Sequence, residues 1–515
     1  MSQTQPRPKS DPDPKAKPAK PDENEEPADE TGSRFLLFNV MPSWMVSFLT
    51  HLAFIIILAL MVLPARKERT VAIEAGGQAA EALEAIDLNL DSLTFDTEDP
   101  FETEISVDEP TDVSQELEVS LPEAEVDFGN IIGADDAFET DFVGELNTSE
   151  FKEETGGRTG DSRERAIKKY GGTADSEKAV ALALKWIIKH QLPDGGWNLD
   201  HTIGPGKFRD SPNPGRFTQA RSAATALAIL PLLGAGHTHK TGEYKEQVYD
   251  GLSFLMKRAR KAQRGLSYLE PGGTMYSHGL VSIVFCEAYA MTKDPELAPF
   301  AQGTVWFIEH AQDPIGGGWR YLPRQPGDTS AVGWQVMALK SGKISGLNIN
   351  PRTYSLAEKF LDTVSSSGGA FYGYISPPRG EPADARTAVG LLCRMYMGWD
   401  KNVPGMVDGI AALSARGPST QNTDMYFNYY ATQAMKHIGG RQWKDWNKVM
   451  RNYLVKTQQT NGNTAGSWYF ESRDHAAEKG GRLYATSLAC MTLEVYYRYL
   501  PLYGDQASNN EFPLE

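Results

Sequence analysis

Two kinds of apolar segment alternate along the C-terminal two-thirds of the chain, and this alternation leaves little choice of architecture. One kind is amphipathic, with an apolar stripe at helical spacing, as in EKAVALALKWIIKHQ (177–191), APFAQGTVWFIEHAQ (298–312) and DWNKVMRNYLVKTQ (445–458). The other is apolar almost all round and rich in small residues, as in RSAATALAILPLL (221–233), YSHGLVSIVFCEAYA (276–290) and DTSAVGWQVMALKSG (328–342). A helix that is hydrophobic on every side is buried, so the two kinds predict solvent-facing helices paired with interior ones. Six of each, at a period of about 50 residues, predict two concentric rings. The first and last pairs look like the middle ones rather than like polar caps, which predicts that the array closes on itself. The expected fold is therefore all-α, an (α/α)₆ toroid of six outer and six inner helices over residues 176–503.

Glycine and aromatic turns join outer to inner helices: Gln191 to Trp197, Gln312 to Trp319, Gly368 to Tyr374, and the turn that carries Trp468. Glycines end the outer helix, the aromatic packs between neighbouring pairs, and Gln191 and Gln312 can satisfy exposed backbone groups. These turns read as structural staples rather than as a catalytic set.

The repeats resemble those of squalene-hopene cyclases and protein prenyltransferase β subunits. The resemblance rests on Gln191, Gly195 and Trp197, the looser copies at Trp319 and Trp468, and the alternating helices, and it lies nearest to membrane-anchored members of that group. It implies the toroid and says little of function, because sites are grafted onto folds. The acidic D-x-D-D cluster of class II cyclases is absent: inner-helix starts offer single aspartates at Asp328, Asp384 and Asp424. The D-x-C of zinc-dependent prenyltransferases is absent too, and Ser277-His278-Gly279 lacks the thiolate of a lanthionine-cyclase site. No metal and no cofactor is expected.

Alignment of the inner segments on their small residues brings Arg221, Tyr276, Asp328, Asp384, Tyr426 and Tyr484 to like positions, with His278, Arg386, Asp424 and Arg482 near them. In a closed ring like positions converge on one mouth of the central space, and charges and phenols around an apolar hollow are what a binding pocket offers. Helix N-capping accounts equally for Asp328, Asp384 and Asp424.

The rest of the chain is of another character. Residues 1–41 are rich in Pro, Lys and acids and are expected to be disordered. Residues 42–64 enclose about 20 uncharged residues between Pro42 and Pro64, enough to cross a bilayer as one helix. The stretch starts too late and runs too long for a signal peptide. Flanking charges leave its orientation open. Residues 65–175 read as an acidic linker, with roughly two dozen Asp and Glu over 71–160 against Lys152 and Arg158. It is either a spacer or a segment that folds onto a partner protein. Residues 504–515 form a tail. The sequence as a whole carries a formal charge of -16, yet residues 161–515 alone come to about +8. Cys286, Cys393 and Cys490 lie in apolar helical text, as core residues do.

These features describe a protein of the cell membrane, anchored by a single pass. Its toroid is expected to bind a hydrophobic, lipid-like or isoprenoid-like ligand or a peptide, and not nucleic acid. The alternatives are an isoprenoid-modifying enzyme with a divergent site and a carbohydrate-active toroid with two carboxylates across a cleft.

Overall fold

The structure is a computed structural model that describes residues 158–471, 475–498 and 502. A short helix α1 (Gly160–Tyr170) precedes six helix pairs. The outer members are α2 (Ala174–Lys189), α4 (Lys245–Lys257), α6 (Ala298–Ala311), α8 (Pro351–Thr363), α10 (Pro404–Arg416) and α12 (Gly440–Thr457). The inner members are α3 (Arg221–Gly234), α5 (Thr274–Thr292), α7 (Thr329–Ile344), α9 (Ala385–Tyr396), α11 (Met425–Ile438) and α13 (His475–Leu493), the last broken at Gly481. One turn of helix, α14 (Val495–Arg498), follows. Two-residue strand pairs, Arg260–Lys261 with Leu266–Ser267 and Ser365–Ser366 with Phe371–Tyr372, tighten two of the connections.

Each inner helix packs against the next, and α13 packs against α3, so the inner ring is closed. At the closure α12 of the outer set also packs against α2. The reason lies in the two kinds of segment: nearly every residue of α3, α5 and α7 is buried, whereas α4 and α8 bury only one stripe. The three cysteines are buried and free, and burial pushes the thiols of Cys286 and Cys393 up to about 12.

Three turns repeat one construction. Gln191 Nε2 donates to the carbonyls of Gly195 and Gln247, Gln312 Nε2 to those of Gly317 and Thr353, and Gln458 Nε2 to those of Gly466 and Ala179. Each amide thus ties its own turn to the following outer helix. The third tie, from the end of α12 to α2, is the ring closure. The indoles of Trp197, Trp319 and Trp468 are fully buried and donate to Ile187, Ile308 and Leu454. Gly195, Gly317 and Gly466 have φ near +85°, +82° and +93°, and a Cβ on any of them would stand 2.5 Å or less from a backbone oxygen of the next outer helix. Only glycine satisfies both the dihedral and the approach.

The folded part starts before residue 176, where the composition changes. Arg158 is buried and donates to Leu233 O, Arg498 O and Glu287. Arg498 in turn pairs with Glu287 and Glu494 and donates to Leu230 O. This network of four ionisable side chains lies at the C-terminal ends of α3 and α5, where α14 and α1 pack together. The acidic text around residue 158 conceals it, since a single arginine there reads as solvated. The tail expected to be disordered, the expected membrane span, most of the expected acidic linker and the C-terminal tail lie outside the described residues. No helix among those described is long and apolar enough to cross a membrane.

Candidate functional site

The N-terminal ends of the six inner helices surround a cavity of about 350 Å³. How each helix starts decides what faces it. Asp328, Asp384 and Asp424 are the N-caps of α7, α9 and α11, accepting from Ala331, Arg386 with Thr387, and Phe427. Two residues after each cap, the chain turns Ser330, Arg386 and Tyr426 to the cavity. Helix α3 has no cap of its own. Glu270, from the loop before α5, accepts from the backbone N–H groups of Ser222 and Ala223 at 3.0 and 2.9 Å, and from Ser277 Oγ at 2.7 Å.

Of the residues expected at the mouth, Tyr276, Asp384, Arg386, Asp424, Tyr426 and Tyr484 line the cavity. The other four have different surroundings. Arg221 makes a bidentate pair with Asp194, donates to Trp197 O and lies over the Phe254 ring, so it braces the first glycine and tryptophan turn. Arg482 donates to Pro212 O, Asn213 Oδ1 and Ser467 Oγ, and braces the last. His278 faces the outer ring: its Nε2 bonds Thr304 O, and burial lowers its pKa to about 3, which leaves it a neutral packing residue. Asp328 is fully enclosed, 4.0 Å from the Arg320 guanidinium. The register also departs from the expected one at a single helix. Asp328, Asp384 and Asp424 are the equivalent residues, whereas small-residue alignment matched Tyr426 to the first two.

The deeper walls are apolar: Leu199, Ala223, Leu227, Leu280 and the face of Trp334. Trp334 is stacked on Tyr429, with ring centroids 5.9 Å apart, and meets Tyr426 and Tyr430 at an angle. Gly333 permits this closeness, since a Cβ there would lie 2.6 Å from Val389 Cγ1. Burial raises the phenols of Tyr276, Tyr426 and Tyr430 well above the ordinary range, so all three remain neutral. Tyr321 and Tyr374 share a hydroxyl hydrogen bond of 2.7 Å, with Arg320 lying over both rings.

The polar rim holds two unlike carboxylates. Asp384 receives Arg386 Nε and Nη2 at 3.0 and 2.7 Å. Asp424 has a raised pKa, first because burial strips its water and further because Asp384 repels its charge; Phe427 N–H and Arg416 act the other way. No cluster of three or more His, Cys, Asp or Glu among the described residues could hold a metal ion. Phe217, Trp334, Tyr374 and Lys479 also line the cavity and were not singled out from the sequence. The phase set by the capping aspartates places Ser330, Arg386 and Tyr426 inward, but it does not reach Phe217, Tyr374 or Lys479, which lie outside α7, α9 and α11.

Fold and site together define an all-α toroid with a cavity at the N-terminal ends of its inner helices. No family model matches the chain, and no curated protein matches it. Among solved structures it is similar to the GH76A α-1,6-mannanase of Salegentibacter sp. HEL1_6, at 10% identity over 62% of this chain and 98% of that one, with a TM-score of 0.45. It is similar to an α-amylase from Clostridium perfringens at 12% identity, over 62% and 98% of the two chains, with a TM-score of 0.43. A variant of the type II terpene cyclase MstE from Scytonema, in complex with geranylgeranyl dihydroxybenzoate, follows at 12% identity over 63% and 97%, with a TM-score of 0.41. Likenesses this distant assign no activity, and the closed ring rests on the packing described above.

Proposed function

We propose that the toroid is a binding domain whose cavity takes the apolar body of a small amphiphile and holds its polar end at the rim. One observation supports this most: aliphatic and aromatic walls in depth, with Asp384, Arg386, Asp424 and Lys479 confined to the mouth. The volume lies within the range of ligand pockets that are mostly apolar with a few placed polar groups. A sugar would find few hydrogen-bonding partners against Leu199, Leu227 and Leu280. In this reading residues 42–64 tether the domain to a membrane and the acidic segment spaces it away.

The experiment is mass spectrometry of small molecules carried by the purified full chain, compared with Ala223→Trp and the milder Leu227→Phe, which fill the cavity from α3. An amphiphile present in the wild type and lost from a variant of unchanged Tm supports the reading. Equal loading of all three proteins overturns it.

A second reading has one observation in its favour. A carboxyl raised first by burial and further by a neighbouring carboxyl that is itself held by arginine is the pairing that separates an acid from a base in glycoside hydrolysis. Glycan cleavage that disappears in both Asp384→Asn and Asp424→Asn would favour it over binding alone. An isoprenoid-modifying enzyme is the weaker variant, because Asp328, Asp384 and Asp424 stand singly, one to each of three inner-helix starts.

A further inference from the structure

The charges at the mouth are unequally engaged, and this bears on the ligand's polar end. Six helix N-termini converge there, an arrangement that on its own attracts anions. Four carboxylates already occupy those ends: Glu270 on α3, Asp328 on α7, Asp384 on α9 and Asp424 on α11. At those four ends an anionic ligand would approach negative charge rather than bare N–H groups.

Three of the four also have a cation beside them. Arg258 lies 3.1 Å from Glu270, Arg320 4.0 Å from Asp328, and Arg386 2.7 Å from Asp384. Asp424 has no ion pair among the described residues, although it is the one whose helix also presents Tyr426 to the cavity. The cations near it are turned elsewhere. Arg416, on α10, stacks at 3.8 Å on the Phe427 ring and donates to Ala383 O. Arg386, on α9, is committed to Asp384, and Lys479 lies over the Phe217 ring. Around the same space stand Phe217, Tyr276, Trp334, Tyr374, Tyr426 and Tyr484. A carboxylate with no ion pair of its own among the described residues, influenced by Arg416 only from a distance and set beside several aromatic faces, is what recognition of an organic ammonium requires.

We propose that the cavity's ligand carries an organic cation, an alkylammonium or arylammonium group, which pairs with Asp424 while its apolar part lies against the aromatic walls. The inference rests on the binding function proposed above and gives that ligand its charge.

Calorimetric titration of the full chain with hexyltrimethylammonium, 1-hexanol and hexanoate tests it, since the three share one tail. The ammonium should bind at least about tenfold tighter than either of the others. In Asp424→Asn that advantage over 1-hexanol should vanish; asparagine caps a helix as well as aspartate, so the variant keeps its fold. Hexanol or hexanoate binding as tightly as the ammonium overturns the charge assignment and leaves the cavity function standing. No binding of any of the three overturns both. An ammonium advantage that persists in Asp424→Asn also overturns the proposal. Dihexanoylphosphatidylcholine below its micellar concentration separates the sources: tighter binding than the single-tailed probe assigns the ammonium to a lipid headgroup, and weaker binding to a free small molecule.

Discussion

Trp319 is enclosed on every side and its indole N–H donates to Ile308, so Trp319→Ala removes packed surface and a hydrogen bond at once. A loss of about 3–5 kcal/mol is expected, read from urea unfolding. Gly317→Ala should cost on the order of 2–4 kcal/mol, because it forces φ of +82° and drives Cβ onto Leu356 O. Asp384→Asn and Arg386→Gln, by contrast, should move the melting temperature little, since asparagine still caps α9 and the pair is partly exposed. Tm values of the four variants check the contrast. The turn residues were legible in the sequence because several pairs need the same closure, so Gln, Gly and Trp recur in one order in three turns, with the glycine always two residues before the tryptophan. Lining residues such as Trp334 were not legible. In a helix apolar all round, an aromatic gives no sign of whether it faces a neighbour or a hollow.

Helix α1 is held by its C-terminal end. Trp443 and Asn447 donate to the carbonyls of Tyr170 and Gly171, and Lys436 Nζ lies 3.3 Å from the centre of the Tyr170 ring. Lys436 is buried without a hydrogen-bond partner, and desolvation, with Lys169 adding repulsion, lowers its pKa to about 7. The unfolded chain binds this proton up to about pH 10.5, the folded chain only up to about 7, so the lysine costs the fold most below pH 7 and progressively less as pH rises to 10.5. Lys436→Met should therefore stabilise the protein by a few kcal/mol at pH 6.5 and by much less at pH 9.5. Melting curves at the two values decide it, and an equal gap at both would show that the amine stays charged. Nothing in the linear text marks Lys436. It sits at the polar end of an inner helix, where a lysine ordinarily reaches water, and α1 covers it only because the fold extends upstream of residue 176.

For the whole ring, burial leaves His190, His278 and His437 with pKa values near 3 and His201 near 4. The unfolded chain takes up those protons as pH falls below 6.5, so stability drops from pH 6.5 toward 4. Glu494, raised to about 8 by its burial, works in the other direction over part of this range, as do the raised carboxyls of Glu177, Glu358 and Asp424, but the lowered histidines, with His237 and His310 added, outnumber them. Urea midpoints at pH 7 and pH 5 should differ by several kcal/mol in unfolding free energy. Closure of the ring could be argued from the likeness of first and last pairs. The stitching of its termini could not, because Arg158, Glu287, Glu494 and Arg498 are far apart in sequence and unremarkable singly. Arg158→Ala would leave Glu287 and Arg498 short of a partner in a dry interior and should cost about 3–5 kcal/mol.

Arg158 also decides where a mechanical load would act. It lies at the C-terminal ends of the inner helices, whereas the cavity opens at their N-terminal ends. Tension applied through the segment upstream of it would pull on the Arg158 to Glu287 and Arg498 contacts first. The base would then peel while the six helix starts kept their spacing, so a load applied at Arg158 would leave the entrance undistorted.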